Sequence, residues 1–202
     1  ASAGHLKDRR IVSSEAMTNT RGVFRTTLEQ IKAADDMNFL MGISASVLHG
    51  FNYSPPQAGF PGWVRYGAYF SEQNTWWPFF PRWSSYNARL SAVWQQTRPV
   101  ARVAILVPRA DIWSAHGLMR GPFHVTPWYA HRLWEPVSRC GATAEFLSEW
   151  VIQDAACKDG TLAYGPAAYE AVIVAGADRL EPATAAVLAR FAEAGGTIAF
   201  VE

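Results

Sequence analysis

The chain has 202 residues, a length for one large domain or two small or incomplete ones. Half the residues are hydrophobic, and 18 basic against 17 acidic side chains leave a formal charge of +1 with no Lys or Arg run, so the electrostatic footprint of a nucleic-acid binder is missing. No apolar stretch approaches the roughly 20 residues of a membrane span, and Ala1 to His5 lack the basic and apolar segments of a signal peptide.

The chain changes character near Pro99. Before it the sequence is rich in aromatics, Asn, Ser and Pro; after it, in Ala and Val. Arg10 to Glu15 is predicted as a short strand with a carboxylate at its carboxyl-terminal end. A helix follows over about 26–41, with Leu28, Ile31 and Ala34 on one face and Gly42 as its stop. Ile43 to His49 is predicted as a buried strand that runs into the loop Gly50-Phe51-Asn52-Tyr53-Ser54-Pro55-Pro56. From Gln57 to Arg82 periodicity fades and rings accumulate, among them Trp63, Trp76 and Trp77. A loop of that length is usually functional. A helix over about 84–96 carries Tyr86, Leu90, Val93 and Trp94 on one stripe. Strand, helix, strand, long loop, helix is the order of the last two β/α units of a barrel, with the long loop at the carboxyl-terminal face.

In the second half Ala101 to Val107 is predicted as a strand. Thr126 and Pro127 are a cap and first-turn Pro for a helix that Pro136 can kink and Gly141 stops. Thr143 to Leu147, Ala171 to Ala175 and Thr197 to Val201 are further strands, and Pro182 opens a helix with Thr184, Val187, Leu188 and Phe191 on one side. Strands alternating with helices imply a parallel, doubly wound sheet. The fold class is therefore α/β. The stop at Glu202, directly after a buried-type strand, is expected of a truncated domain.

Chemistry-bearing residues are few. Glu15 follows a strand at the place where barrels set their acids and bases; the plain alternative is a surface Glu. His49 ends the next strand, Asn52 and Tyr53 follow it, and all three suit sugar hydroxyls, although a His at a strand end is often a structural hydrogen-bonder. Trp63, Trp76 and Trp77 either wall a sugar subsite or pack the loop. Asp35 and Asp36 fall on the solvated face of their helix. Glu72 and Asp111 are lone carboxylates, and His116, His124 and His131 lack metal-ligand spacing. Cys140 and Cys157 are too few for a disulfide scaffold or a four-cysteine zinc site. No glycine-rich phosphate loop or G-x-S-x-G pattern occurs, which weighs against a flavin- or nucleotide-binding domain.

The blocks Ser2 to His5, Ile11 to Thr18, Lys32 with Asp35-Asp36, Gly42-Ile43, His49-Gly50, Pro61 to Trp63, Asn74 to Trp77 and Tyr86 to Arg89 together resemble glycoside hydrolase family 106, the α-L-rhamnosidases. Each block is short, and the set is what is specific. The resemblance implies the last part of a TIM-type (β/α)8 catalytic barrel over residues 1–99 and a flavodoxin-like domain over 100–202. It implies inverting release of terminal α-L-rhamnose from plant glycans or glycosides, with calcium and no organic cofactor. Glu15 becomes the expected base or a calcium ligand, and His49 a sugar- or metal-proximal residue. The general acid belongs to an earlier strand, outside this chain, so the chain alone is expected to be inactive. The expected partners are a carbohydrate substrate and the rest of the parent polypeptide, working in the periplasm or outside the cell. The rival expectation is a non-catalytic carbohydrate-binding or scaffold protein with a degenerate barrel.

Overall fold

The computed structural model describes residues 1–51, 53–63, 66–117 and 128–202. Asn52, His124 and the predicted helix start at Thr126-Pro127 lie outside them. The chain divides into two compact units. One holds Ala1, Ala3–His5 and Arg9–Arg98; the other holds Ser2, Leu6–Asp8 and Pro99–Glu202. Ser2–Leu6 is a short helix, α1. Among the described residues no helix is long and apolar enough to cross a membrane.

In the first unit β1 (Ser13–Ala16) and β2 (Ala45–Leu48) pair in parallel, with Glu15 opposite Val47 and Ala16 opposite Leu48. Parallel neighbours need a crossover, and α2 (Leu28–Leu40) supplies it. Thr27 caps α2 in a capping box: its hydroxyl accepts from the Gln30 N–H, and the Gln30 side chain accepts from the Thr27 N–H. Gly42 ends the turn at φ +82°, where a Cβ would be strained. The buried stripe of α2 is Ile31, Asp35 and Phe39, whereas Ala34 is exposed. The placement of Asp35 on a solvated face is thus corrected. The spacing of i, i+4, i+8 puts its carboxylate in the helix interface, where Ser46 of β2 and Asn87 of α3 (Phe80–Trp94) both donate to it.

Asp36 keeps to the rim. Lys32 donates to it at 2.5 Å and the Tyr86 hydroxyl at 2.6 Å. Desolvation pushes the Asp36 pKa up, but those two donors outweigh it and hold the pKa below the ordinary value. Helix α3 begins earlier than its stripe predicted, after a 3-10 turn at Trp77–Phe79, with Pro81 in its first turn. Trp94 donates its ring N–H to the Phe39 carbonyl at 2.8 Å, which ties α3 to the end of α2.

The second unit is built on a four-stranded parallel sheet of order β4 (Ala144–Leu147), β3 (Val103–Leu106), β8 (Ala171–Ala175), β9 (Thr197–Val201). Residues alternate between its faces. Ala104, Leu106, Leu147, Val172 and Val174 pack with Val187, Leu188 and Phe191 of α7 (Pro182–Glu193). Ile105, Ala144 and Ala175 pack on the other side with Leu133, Trp134 and Val137. That second layer is a π-helical turn, Ala130–Trp134, running into α5 (Glu135–Arg139). Pro136 lies in the first turn of α5, so it lacks the N–H a regular helix would use there. Helix α4 (Arg109–His116) follows β3, and α6 (Glu149–Gln153) follows β4.

Between α6 and β8 lies a three-stranded antiparallel sheet: β5 (Ala156–Lys158), β6 (Thr161–Tyr164) and β7 (Ala167–Tyr169). The sequence reading leaves this sheet out. Its first turn is Asp159-Gly160, at φ +50° and +71°. Two central residues of positive φ make the primed turn that matches strand twist.

Candidate active site

The site is built outward from the β1–β2 pair. Ser14, Ala16, Ser46 and Leu48 occupy one face. Ala16 is buried, Ser46 donates to Asp35, and Leu48 packs on the aromatic core. Period-2 alternation then sets Glu15 and Val47 on the opposite face, and both are exposed, Val47 at 58%. The two strands end at one edge, where the His49 N–H donates to the Ala16 carbonyl at 2.8 Å.

Glu15 is held by its own loop. The Thr18 hydroxyl donates to its Oε1 at 2.7 Å. The chain turns between them at Met17, φ +70°, and Asn19 then fixes the loop, its side-chain amide donating to the Met17 carbonyl at 3.0 Å. Thr18 was legible only as the end of a family block, and Asn19 not at all.

His49 is oriented by the aromatic loop. Its Nδ1 lies 3.0 Å from the Tyr66 carbonyl, which also accepts from the Asn19 N–H at 2.8 Å. A carbonyl only accepts, so His49 Nδ1 is the donor in this contact, and a ring carrying that one proton has Nε2 as its acceptor. The Tyr66 carbonyl therefore joins the loop after β1 to the loop after β2. No side-chain pattern signals it, because the interacting group is backbone. The returning arm of the loop is buried at Ala68, Tyr69, Phe70 and Ser71, and the Asn74 side chain donates to the Tyr69 carbonyl at 3.2 Å.

The rings divide into two groups. Trp76 and Trp77 are half-buried in a cluster with Phe70, Phe80 and Trp83. Trp77 stacks on Phe80 at 5.0 Å and 6°, and Trp76 donates its ring N–H to the Thr26 carbonyl at 2.8 Å. Both indoles are thus engaged in packing, and Trp76 also satisfies its ring N–H. Tyr53 and Trp63 are exposed, at 71% and 68%. The Trp63 N–H is pinned at 3.0 Å by the Ser54 hydroxyl. Asn52, expected beside them, lies outside the described residues.

Calcium takes six to eight oxygen ligands. Among the described residues no three His, Cys, Asp or Glu side chains come together to hold a metal ion, and the side chain that meets Glu15 is a single hydroxyl.

The sequence profile of the alpha-L-rhamnosidase family, glycoside hydrolase family 106, matches residues 1–116. The chain is similar in structure to the rhamnosidase from Novosphingobium sp. PP1Y, with a TM-score of 0.64 and 20% identity. That alignment covers 98% of this chain and 18% of the other, so the chain spans under a fifth of that enzyme's length. At this identity the likeness concerns the fold. No curated protein matches the chain. The profile match over more than half of the sequence is decisive: the chain belongs to glycoside hydrolase family 106, the alpha-L-rhamnosidases.

Proposed function

We propose that the chain is the last part of the (β/α)8 catalytic barrel, and the flavodoxin-like domain after it, of an inverting α-L-rhamnosidase. The substrate would be terminal α-L-rhamnose on plant glycans or glycosides, which places the parent enzyme in the periplasm or outside the cell. The observation that carries the reading is the parallel register of β1 and β2, which puts Glu15 and His49 at one carboxyl-terminal edge. Barrel enzymes build their sites at that edge. For the second domain the support is strand order. Numbered by appearance, the parallel sheet runs 2-1-3-4, as a flavodoxin-like sheet begins.

In this mechanism Glu15 is the general base. It removes a proton from a water held on the face of the sugar opposite the leaving group, and the water oxygen attacks the anomeric carbon. Inverting pairs stand roughly 6.5–9.5 Å apart to admit that water. The partner acid, from an earlier strand outside this chain, protonates the departing oxygen. His49 Nε2 accepts from a sugar hydroxyl, because Nδ1 is committed to Tyr66. Tyr53 and Trp63, with Asn52, contact the substrate, while Trp76 and Trp77 support the loop that carries them. Bound calcium would supply positive charge to sugar hydroxyls. The chain alone is inactive, since it lacks the acid.

The deciding experiment is Glu15→Gln in the full-length protein, assayed on an aryl α-L-rhamnoside. The expected result is a kcat lower by about 10²–10⁴-fold, the scale of a lost general base. Turnover equal to the native enzyme removes Glu15 from the mechanism. An inactive native protein that still binds rhamnosides selects the degenerate-barrel reading instead.

A further inference from the structure

The second unit carries an arrangement that the hydrolytic reading does not use. Arg109 opens α4 just after β3, and its Cζ lies 4.8 Å from the ring centroid of Trp113 and 4.1 Å from that of Trp150. Trp113 stands one turn on in α4, and Trp150 is in the first turn of α6, just after β4. Strands β3 and β4 are parallel neighbours, so both helices begin at one carboxyl edge of the sheet. Arg109 is half-buried, yet the two indoles remain 49% and 60% exposed.

Electrostatics sharpen the picture. Among the described residues no carboxylate pairs with Arg109. The acids closest to the site in sequence are already engaged. Asp111 accepts from the Asp178 and Arg179 N–H groups, and Glu149 accepts from the Glu181 N–H at 2.7 Å. A guanidinium stacked on aromatic faces still presents its five N–H groups around its edge. The result is a half-buried cation lying against two rings, whose planar fork matches a carboxylate. Exposed indole surface beside it suits the apolar C–H face of a pyranose.

We propose that Arg109, Trp113 and Trp150 form a non-catalytic binding site for the carboxylate of a uronate-bearing saccharide. The saccharide class follows from the carbohydrate-active family and the exposed indoles; the acidic group follows from a guanidinium that forms no salt bridge among the described residues. The site does not rest on the role given to Glu15. A purely structural cation–π staple between α4 and α6 is the competing account, and binding separates the two.

The test is isothermal titration calorimetry of the full-length protein with trigalacturonate and with its methyl ester, which has the same shape without the charge. Saturable binding of the acid and much weaker binding of the ester are expected. Arg109→Met should weaken binding of the acid by about tenfold or more, the scale of one charge-assisted hydrogen bond. Arg109→Lys, which keeps the charge and loses the fork, should fall between. Trp150→Ala, at an exposed position, should weaken the acid and leave the fold intact by circular dichroism. Hydrolysis of an aryl α-L-rhamnoside should be unchanged in all three. No saturable binding by the native protein, equal affinity for acid and ester, or native affinity in a folded Arg109→Met protein would each overturn the proposal. So would binding of an acidic peptide in preference to the saccharide.

Discussion

At the scale of single residues, Asp35 is the most instructive. A carboxylate at 0% exposure is strongly unfavourable unless its oxygens are satisfied. Here one oxygen accepts from Ser46 and the other from Asn87. Asn87→Ala should therefore cost about 1.5–3 kcal/mol, the range for a hydrogen bond to a charged group. Asp35→Asn should cost a comparable amount, because an amide presents only one acceptor where two donors converge. Both are measured by thermal unfolding of the full-length protein, and rhamnosidase turnover per folded molecule should stay near native. A shift no larger than that of an exposed control such as Arg89→Ala would show that the carboxylate is not the clamp. The blocks containing Lys32, Asp35-Asp36 and Tyr86-Asn87 were readable as family features, yet their role was not. Ser46 and Asn87 lie 11 and 52 residues from Asp35, and a single sequence does not say that such positions converge. Asp35 beside Asp36 looked like a solvated pair for that reason. That Glu15 and His49 come at the carboxyl ends of two neighbouring parallel strands was legible in the strand and helix pattern. The Tyr66 carbonyl that orients His49 was not, since backbone groups leave no residue-type signal.

At the scale of elements, strong periodicity and clean punctuation decided what could be read. Helix α7 was legible whole: Pro182 starts it, Gly195-Gly196 follow it, and all four residues of the predicted stripe are buried. The Asp159-Gly160 hairpin went unread because its strands are only three and four residues long, too short to show an alternating pattern. The signal that would have found it is the dipeptide itself, since Asp-Gly between short strands marks a primed turn. Helix α3 was placed too late because Trp77, Phe79 and Phe80 looked like loop aromatics, while Pro81 was the better start signal. The hairpin gives a direct test. Gly160 sits at φ +71°, and a Cβ there would meet the Gly195 carbonyl oxygen at 3.4 Å. Gly160→Ala should destabilise the second unit by about 1 kcal/mol or more, since alanine is strained at positive φ. Chemical denaturation should shift accordingly, with faster amide exchange at Lys158 and Thr161. An unchanged midpoint would mean that the turn relaxes to a conformation alanine tolerates.

At the scale of the whole molecule, each unit has its own core, and polar groups buried in it set how stability depends on pH. The second unit has such a pair at the meeting of its two sheets. Tyr169, the last residue of β7, is fully buried and donates at 2.6 Å to Oε2 of Glu145 on β4, itself 3% exposed. Burial first, and then the neighbouring carboxylate, push the Tyr169 pKa up from its ordinary value of 10.0. A group whose folded pKa is raised contributes stability that is complete below the unfolded pKa and is lost as pH rises above it. In the unfolded chain Tyr169 ionises from about pH 10; in the folded chain it stays protonated. Stability of this unit should then fall above pH 10 by up to about 1.4 kcal/mol per pH unit from this residue alone. Tyr169→Phe should be less stable than native at pH 7 by about 1–3 kcal/mol, for want of the donor to Glu145, yet its curve above pH 10 should be flatter by one proton. Amide exchange at β4 and β7 of the full-length protein, followed from pH 7 to 11, reads both effects locally, after correction for the intrinsic pH dependence of exchange. Other tyrosines titrate in the same range, so the comparison is native against Tyr169→Phe at each pH. Parallel curves would mean that Tyr169 ionises as freely in the folded protein as in the unfolded one, and that the contact with Glu145 does not join the small sheet to the large one.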